Sequence, residues 1–151
     1  MEQPPVPVAH AERLLEAFGY WHSFHDAEVH RAVLDRGGAE ERPSITLLIN
    51  LYDSSGALDE RGYYDVRVNV MVTLKFTDVD DMELGDLGVQ NVINELRLEP
   101  QPAGRIAVEL APCFGLNGVF TCGAVEVLEV APYVRKSAAN GPAGEPLRTD
   151  V

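Results

Sequence analysis

Between Tyr63 and Phe76 the chain alternates without a break, with Tyr64, Val66, Val68, Val70, Val72, Leu74 and Phe76 interleaved among Tyr63, Asp65, Arg67, Asn69, Met71, Thr73 and Lys75. A period of two sustained this long marks a β-strand with one dry and one wet face. Such a strand belongs to an antiparallel sheet covered on one side, because strands buried on both faces read as continuous apolar runs. Shorter stretches of the same period lie at 28–34, 44–52, 92–98, 105–111 and 119–130, and Asp53-Ser54-Ser55-Gly56 reads as a polar turn between two of them. Ahead of the sheet, residues 8–18 place Ala11, Leu14, Leu15 and Phe18 on one helical stripe, with Gly19 as its C-terminal cap. The expected architecture is α+β: an N-terminal helix packed on a curved, mainly antiparallel β-sheet of about six strands.

A length of 151 residues suits one domain. Its expected limits are 8–133, after a proline-rich extended arm at 1–7 and before a tail at 134–151 that loses apolar residues and should be disordered. The chain has no apolar run long enough to span a membrane and no basic start followed by an apolar stretch, which predicts a cytoplasmic protein. Twenty-four Asp and Glu against twelve Lys and Arg leave a formal charge of −12. That excess repels nucleic acids and anionic membranes; it serves solubility and also suits a basic protein partner. An exposed edge strand would allow two copies to pair as a homodimer.

The acidity is concentrated at 77–88, where the alternation stops and Asp78, Asp80, Asp81, Glu83 and Asp86 occur with no basic residue. This segment reads as a surface loop or a single helical turn. It is either a solvated connector or the contact surface for a cationic partner, with Asp53, Asp59 and Glu60 as a second acidic loop.

Asn117-Gly118 is the favoured pair for a two-residue hairpin turn that requires positive φ at both positions. A turn there would set Cys113 opposite Cys122 at a non-hydrogen-bonded site, with Cα atoms about 4.5 Å apart. A disulfide fits that geometry, whereas a reducing cytosol favours two free thiols packed as small apolar groups.

The densest reactive cluster is Trp21-His22-Ser23-Phe24-His25-Asp26-Ala27-Glu28-Val29-His30. His22, His25, Asp26, Glu28 and His30 are the candidate residues for a metal or small-ligand site. In an extended chain, however, Asp26, Glu28 and His30 share one face and His25 lies on the other, so no ligand set converges locally. A direct His25–Asp26 bond is disfavoured by the same alternation. The structural reading is that His25 or Asp26 satisfies backbone donors at the strand entry while Trp21 and Phe24 close one end of the core. No Gly-x-Ser-x-Gly elbow, Walker loop or dinucleotide fingerprint occurs. A protein without catalytic activity or cofactor is the expected reading.

The segment Trp21-x-Ser-Phe-His-Asp-Ala-Glu-Val29 resembles the opening motif of the bacterial immunity protein 50 family, antidotes encoded beside polymorphic toxins. A second block is similar to that family's later elements: Val72-Thr-Leu-Lys-Phe76, the acidic stretch 78–84, then Gln90-Asn91-Val92-Ile93 and Glu95-Leu96-Arg97-Leu98. The resemblance implies a mainly β, non-enzymatic domain that neutralises a cognate toxin by binding it. It supplies no binding residues to carry over.

Overall fold

The computed structural model describes residues 3–58 and 64–133, and the side chains of 3–53 and 68–133. One helix, α1 (Glu12–Phe18), precedes eight strands: β1 (Glu28–Asp35), β2 (Ser44–Leu58), β3 (Tyr64–Thr77), β4 (Asp80–Gly85), β5 (Val92–Pro100), β6 (Ile106–Phe114), β7 (Asn117–Cys122) and β8 (Ala124–Pro132). Every strand pair is antiparallel, in the order β4-β7-β6-β5-β1-β2-β3-β8. No helix among the described residues is long and apolar enough to cross a membrane.

The helix is shorter than the apolar stripe predicts because its first residues are used as sheet. Ala9 makes a parallel bridge beside β8, its N–H donating to the Val125 carbonyl at 2.9 Å and its carbonyl accepting from Val127 N–H at 2.9 Å. His10 then takes φ 60°, which the helix cannot continue through. Arg13 follows the same edge and donates to the carbonyls of Val127 at 3.1 Å and Leu128 at 2.5 Å. The N-terminal segment thereby covers the β8 edge and buries Val6 in the core. At the other helix end, Gly19 adopts φ 87° and donates to the Leu15 carbonyl at 2.7 Å, closing the last turn.

The sheet has eight strands where about six were expected, for two reasons. The acidic segment is β4 and not a loop or helical turn, and the stretch 119–130 is two strands divided at Gly123. β3 continues into β4 across Asp78, and β7 into β8 across Gly123. Thr77 pairs with Ala124 on one side of this corner, and Asp80 with Thr121 on the other. Asp78 turns the corner at φ 57°, a conformation Asp tolerates better than most residues, and Gly123 leaves room for its carboxylate. The inward side chains on both sides of the bend, such as Ile49, Val72 and Leu74 on one and Val108, Phe120 and Cys122 on the other, meet in one core.

Two expected turns are also displaced. β2 runs through Asp53-Ser54-Ser55-Gly56, and its register with β3 shifts there instead of ending. Asn117-Gly118 opens β7 and is not the hairpin turn. Positive φ belongs to Gly115, at 76°. The β6–β7 register consequently sets Cys122 opposite Ile106 and Gly118 opposite Leu110, not Cys122 opposite Cys113. The cysteines are free: Cys113 is exposed, and Cys122 is buried, which pushes its thiol up to about 11. Asp59, Glu60 and residues 134–151 lie outside the described residues.

Candidate partner-binding surface

The five carboxylates of the 78–86 segment do not form one uniform acidic patch. Residues distant in sequence divide them. Arg42 donates to Asp78 at 3.0 Å and to Asp80 at 2.5 Å, while Arg105 donates to the other oxygens of the same two residues at 2.7 and 3.3 Å. The Arg42 guanidinium, aided by Arg105, holds the Asp78 carboxyl below the usual carboxylate range. Two cations thus balance two anions at the corner, where the Asp78 and Asp80 carboxylates remain partly exposed. Asp86 accepts from the Asn117 side chain at 2.7 Å and is exposed; Asp81 and Glu83 are exposed on β4.

Strand register then assembles a different acidic surface. Across β5, β6, β7 and β4 one row reads Arg97, Glu109, Val119, Glu83, and the next reads Glu99, Ala107, Thr121, Asp80. Glu95 stands opposite Ala111 in a third row. These residues alternate with the buried Leu96, Leu98, Val108, Leu110 and Phe120, so the rows face outward. An open depression of about 380 Å³ on this face is lined by Asp81, Arg97, Glu99, Glu109, Val119 and Thr121 among others. Arg97 is clamped between Glu95 at 2.6 Å and Glu109 at 2.5 Å. Arg97 is thus set among Glu95, Glu99 and Glu109, while Arg105 reaches Thr121 at 3.2 Å and Asp80 at 3.3 Å on the neighbouring row.

Glu95, Glu99 and Glu109 were not among the residues expected in the site. Glu95 and Glu109 alternate with apolar residues inside the expected strands 92–98 and 105–111, whereas Glu99 lies beyond the first of them. Which strands are neighbours depends on pairing between segments far apart in the chain.

The early histidines do not converge. His22 is buried within an aromatic stack of Phe18, Tyr20 and Phe24, and both its ring nitrogens are engaged. Its Nδ1 accepts the Phe24 N–H at 2.7 Å, which leaves the proton on Nε2, 3.1 Å from the Tyr52 carbonyl. His25 and Asp26 approach to 3.5 Å, a contact that alternation had disfavoured. The chain is not extended there: Phe24 and Asp26 take φ 67° and 66°, and the turn brings both side chains to one side. His25 also reaches the Asn94 carbonyl at 2.9 Å. Glu28 and His30 form a separate pair at 3.7 Å. Among the described residues, no group of three or more His, Cys, Asp or Glu is arranged to hold a metal ion.

The segment instead joins the two parts of the sheet. Asp26 N–H donates to the Ile93 carbonyl, Ile93 N–H to the Ala27 carbonyl and Val29 N–H to the Asn91 carbonyl, each at 2.8 Å. Trp21, Phe24, Ala27 and Val29 are buried above these bonds. The block at 21–29 and the block at 90–93 are therefore each other's hydrogen-bonding partners.

Burial depresses the His22 pKa, outweighing the hydrogen bond to Tyr52 and the charge of Asp53. Folded protein holds this ring neutral while unfolded chain takes up a proton below about pH 6.5. Its stability contribution is complete above that pH and is lost as pH falls below it. Urea unfolding at pH 7.5 and 5.5 should show a larger loss for the native protein than for His22→Gln. Equal losses would refute the neutral, backbone-bound histidine.

A family model described as Immunity protein 50 matches residues 10–133 of the chain. Comparison with curated proteins and with solved structures returned no match.

Proposed function

Because the chain belongs to the immunity protein 50 family, we propose that it is a non-enzymatic immunity protein that neutralises a cognate bacterial toxin by direct one-to-one binding in the cytoplasm. The family match over most of the folded chain carries this reading. The formal charge of −12 and the carboxylate rows across β5, β6, β7 and β4 support a basic toxin as the partner. Carboxylates held on a sheet can occupy a cationic cleft in place of phosphates, and complementary charge accelerates encounter. Of the acidic segment, Asp81, Glu83 and Asp86 are the residues assigned to contact. Asp78 and Asp80 act by shaping the corner.

The test looks for a toxin-like reading frame beside this gene and titrates its purified product with the full chain. Inhibition should be complete near one equivalent. The association rate should fall about tenfold or more between low and physiological salt. Undiminished toxin activity at excess protein would overturn the reading.

A further inference from the structure

The connections at one end of the acidic sheet face carry large apolar side chains in the open. Leu87 is 66% exposed, Val89 102% and Phe114 61%. Asn91 ties the segments that bear them, its side-chain oxygen accepting the N–H groups of Gly88 at 2.9 Å and Leu116 at 3.0 Å while its amide nitrogen donates to the Gly88 carbonyl at 2.9 Å. Phe114 stands opposite Val92 in the β5–β6 register, and Asp86 is tied to Asn117 beside the same clamp. Three apolar side chains in water are thus displayed on a backbone that is already ordered, so burying them costs little further entropy.

We infer that this tip, Leu87, Val89 and Phe114, is the anchor by which the protein binds its toxin, with the adjoining acidic face as its charged flank. The assignment rests on the toxin-neutralising reading and deepens it: the partner presents an apolar recess bordered by Lys and Arg. Charge selects this occupant over a second copy of the chain. Asp86 adjoins Leu87, and the carboxylates of β4 and β5 lead up to the tip, so two copies meeting there would oppose like charges. Val33 and Leu34, also exposed, have charged sequence neighbours of both signs, Arg31, Asp35 and Arg36.

The experiment measures binding of the purified neighbouring toxin domain to the full chain and to Phe114→Ser, Val89→Ser, Glu83→Lys and, as a remote control, Leu34→Ser. Matching melting temperatures establish that each variant is folded. Phe114→Ser and Val89→Ser should each weaken binding about tenfold or more, mainly through faster dissociation. Glu83→Lys should slow association and flatten its salt dependence, and Leu34→Ser should bind as the native chain does. Native binding by both tip variants, or weakening by Leu34→Ser alone, would overturn the tip while leaving toxin neutralisation intact. Failure of the native chain to bind overturns both. Sedimentation showing a native dimer that Phe114→Ser dissolves would make the tip a self-interface and also refute the proposal.

Discussion

Replacing Phe76 with alanine is expected to lower the unfolding free energy by about 3–5 kcal/mol, the cost of removing a fully buried aromatic side chain from a core that relaxes only in part. Phe76 lies on β3 next to the corner with no exposed surface, and its ring meets that of Phe120 on β7 edge to face, with centroids 5.1 Å apart. The pair joins the two sides of the bent sheet. Because domains of this kind have about 5–15 kcal/mol in total, the variant should be marginal at room temperature. Denaturant unfolding of Phe76→Ala, Phe120→Ala and the double variant measures their coupling. It should amount to about 0.5–1.5 kcal/mol, as edge-to-face pairs contribute beyond their buried area. A single-variant loss under about 1 kcal/mol would show that Phe76 does not fill the core as described.

Gly115→Ala is expected to cost about 2–5 kcal/mol and to abolish toxin neutralisation, whereas Gly19→Ala should cost only about 1–2 kcal/mol. Both glycines have positive φ, 76° and 87°, so both substitutions carry the strain of a Cβ in the left-handed region, about 1–2 kcal/mol. Their surroundings differ. A Cβ at Gly19 meets nothing within 4 Å. At Gly115 it would collide with the Gln90 carbonyl and come within 2.5 Å of the Asn91 side-chain oxygen and 3.0 Å of the Asn91 Cα. The first two are a backbone atom and the centre of the clamp, so neither yields cheaply; overpacking of this kind adds about 1–3 kcal/mol. Relief requires separating 88–91 from 114–116, which dismantles the apolar tip. Equal melting temperatures for the two variants would disprove the collision. Full neutralisation by Gly115→Ala would dissociate the clamp from function.

Strand β3 and the cap at Gly19 were legible because each is governed by local rules, alternation in one case and the conformational freedom of glycine in the other. The misreadings share a cause. Asp80 to Gly85 carries few of the apolar residues that signal a strand. It pairs because β7 lies alongside, and an edge strand in water can be polar on its outer side. Asn117-Gly118 has the composition of a tight turn, yet the register puts that turn elsewhere, since Phe114 remains paired to β5 and Gly115 makes the bend. The histidine segment was read as extended, so His25 and Asp26 were assigned to opposite faces; positive φ at Phe24 and Asp26 reverses that geometry.

Composition and periodicity alone determined an α+β chain, a mainly antiparallel sheet and a large acidic surplus, and two motif blocks added the resemblance to one family. These depend on side-chain type and on backbone repeats that act over a few residues. Tertiary structure decided which acids meet which cations. Arg42 and Arg105, separated from Asp78 in the chain by tens of residues, come within hydrogen-bonding distance only when the sheet bends, and Glu95, Glu99 and Glu109 join Glu83 only when β4, β5, β6 and β7 align. Electrostatic interaction depends on distance through space, and sequence separation does not report that distance until the strands have paired.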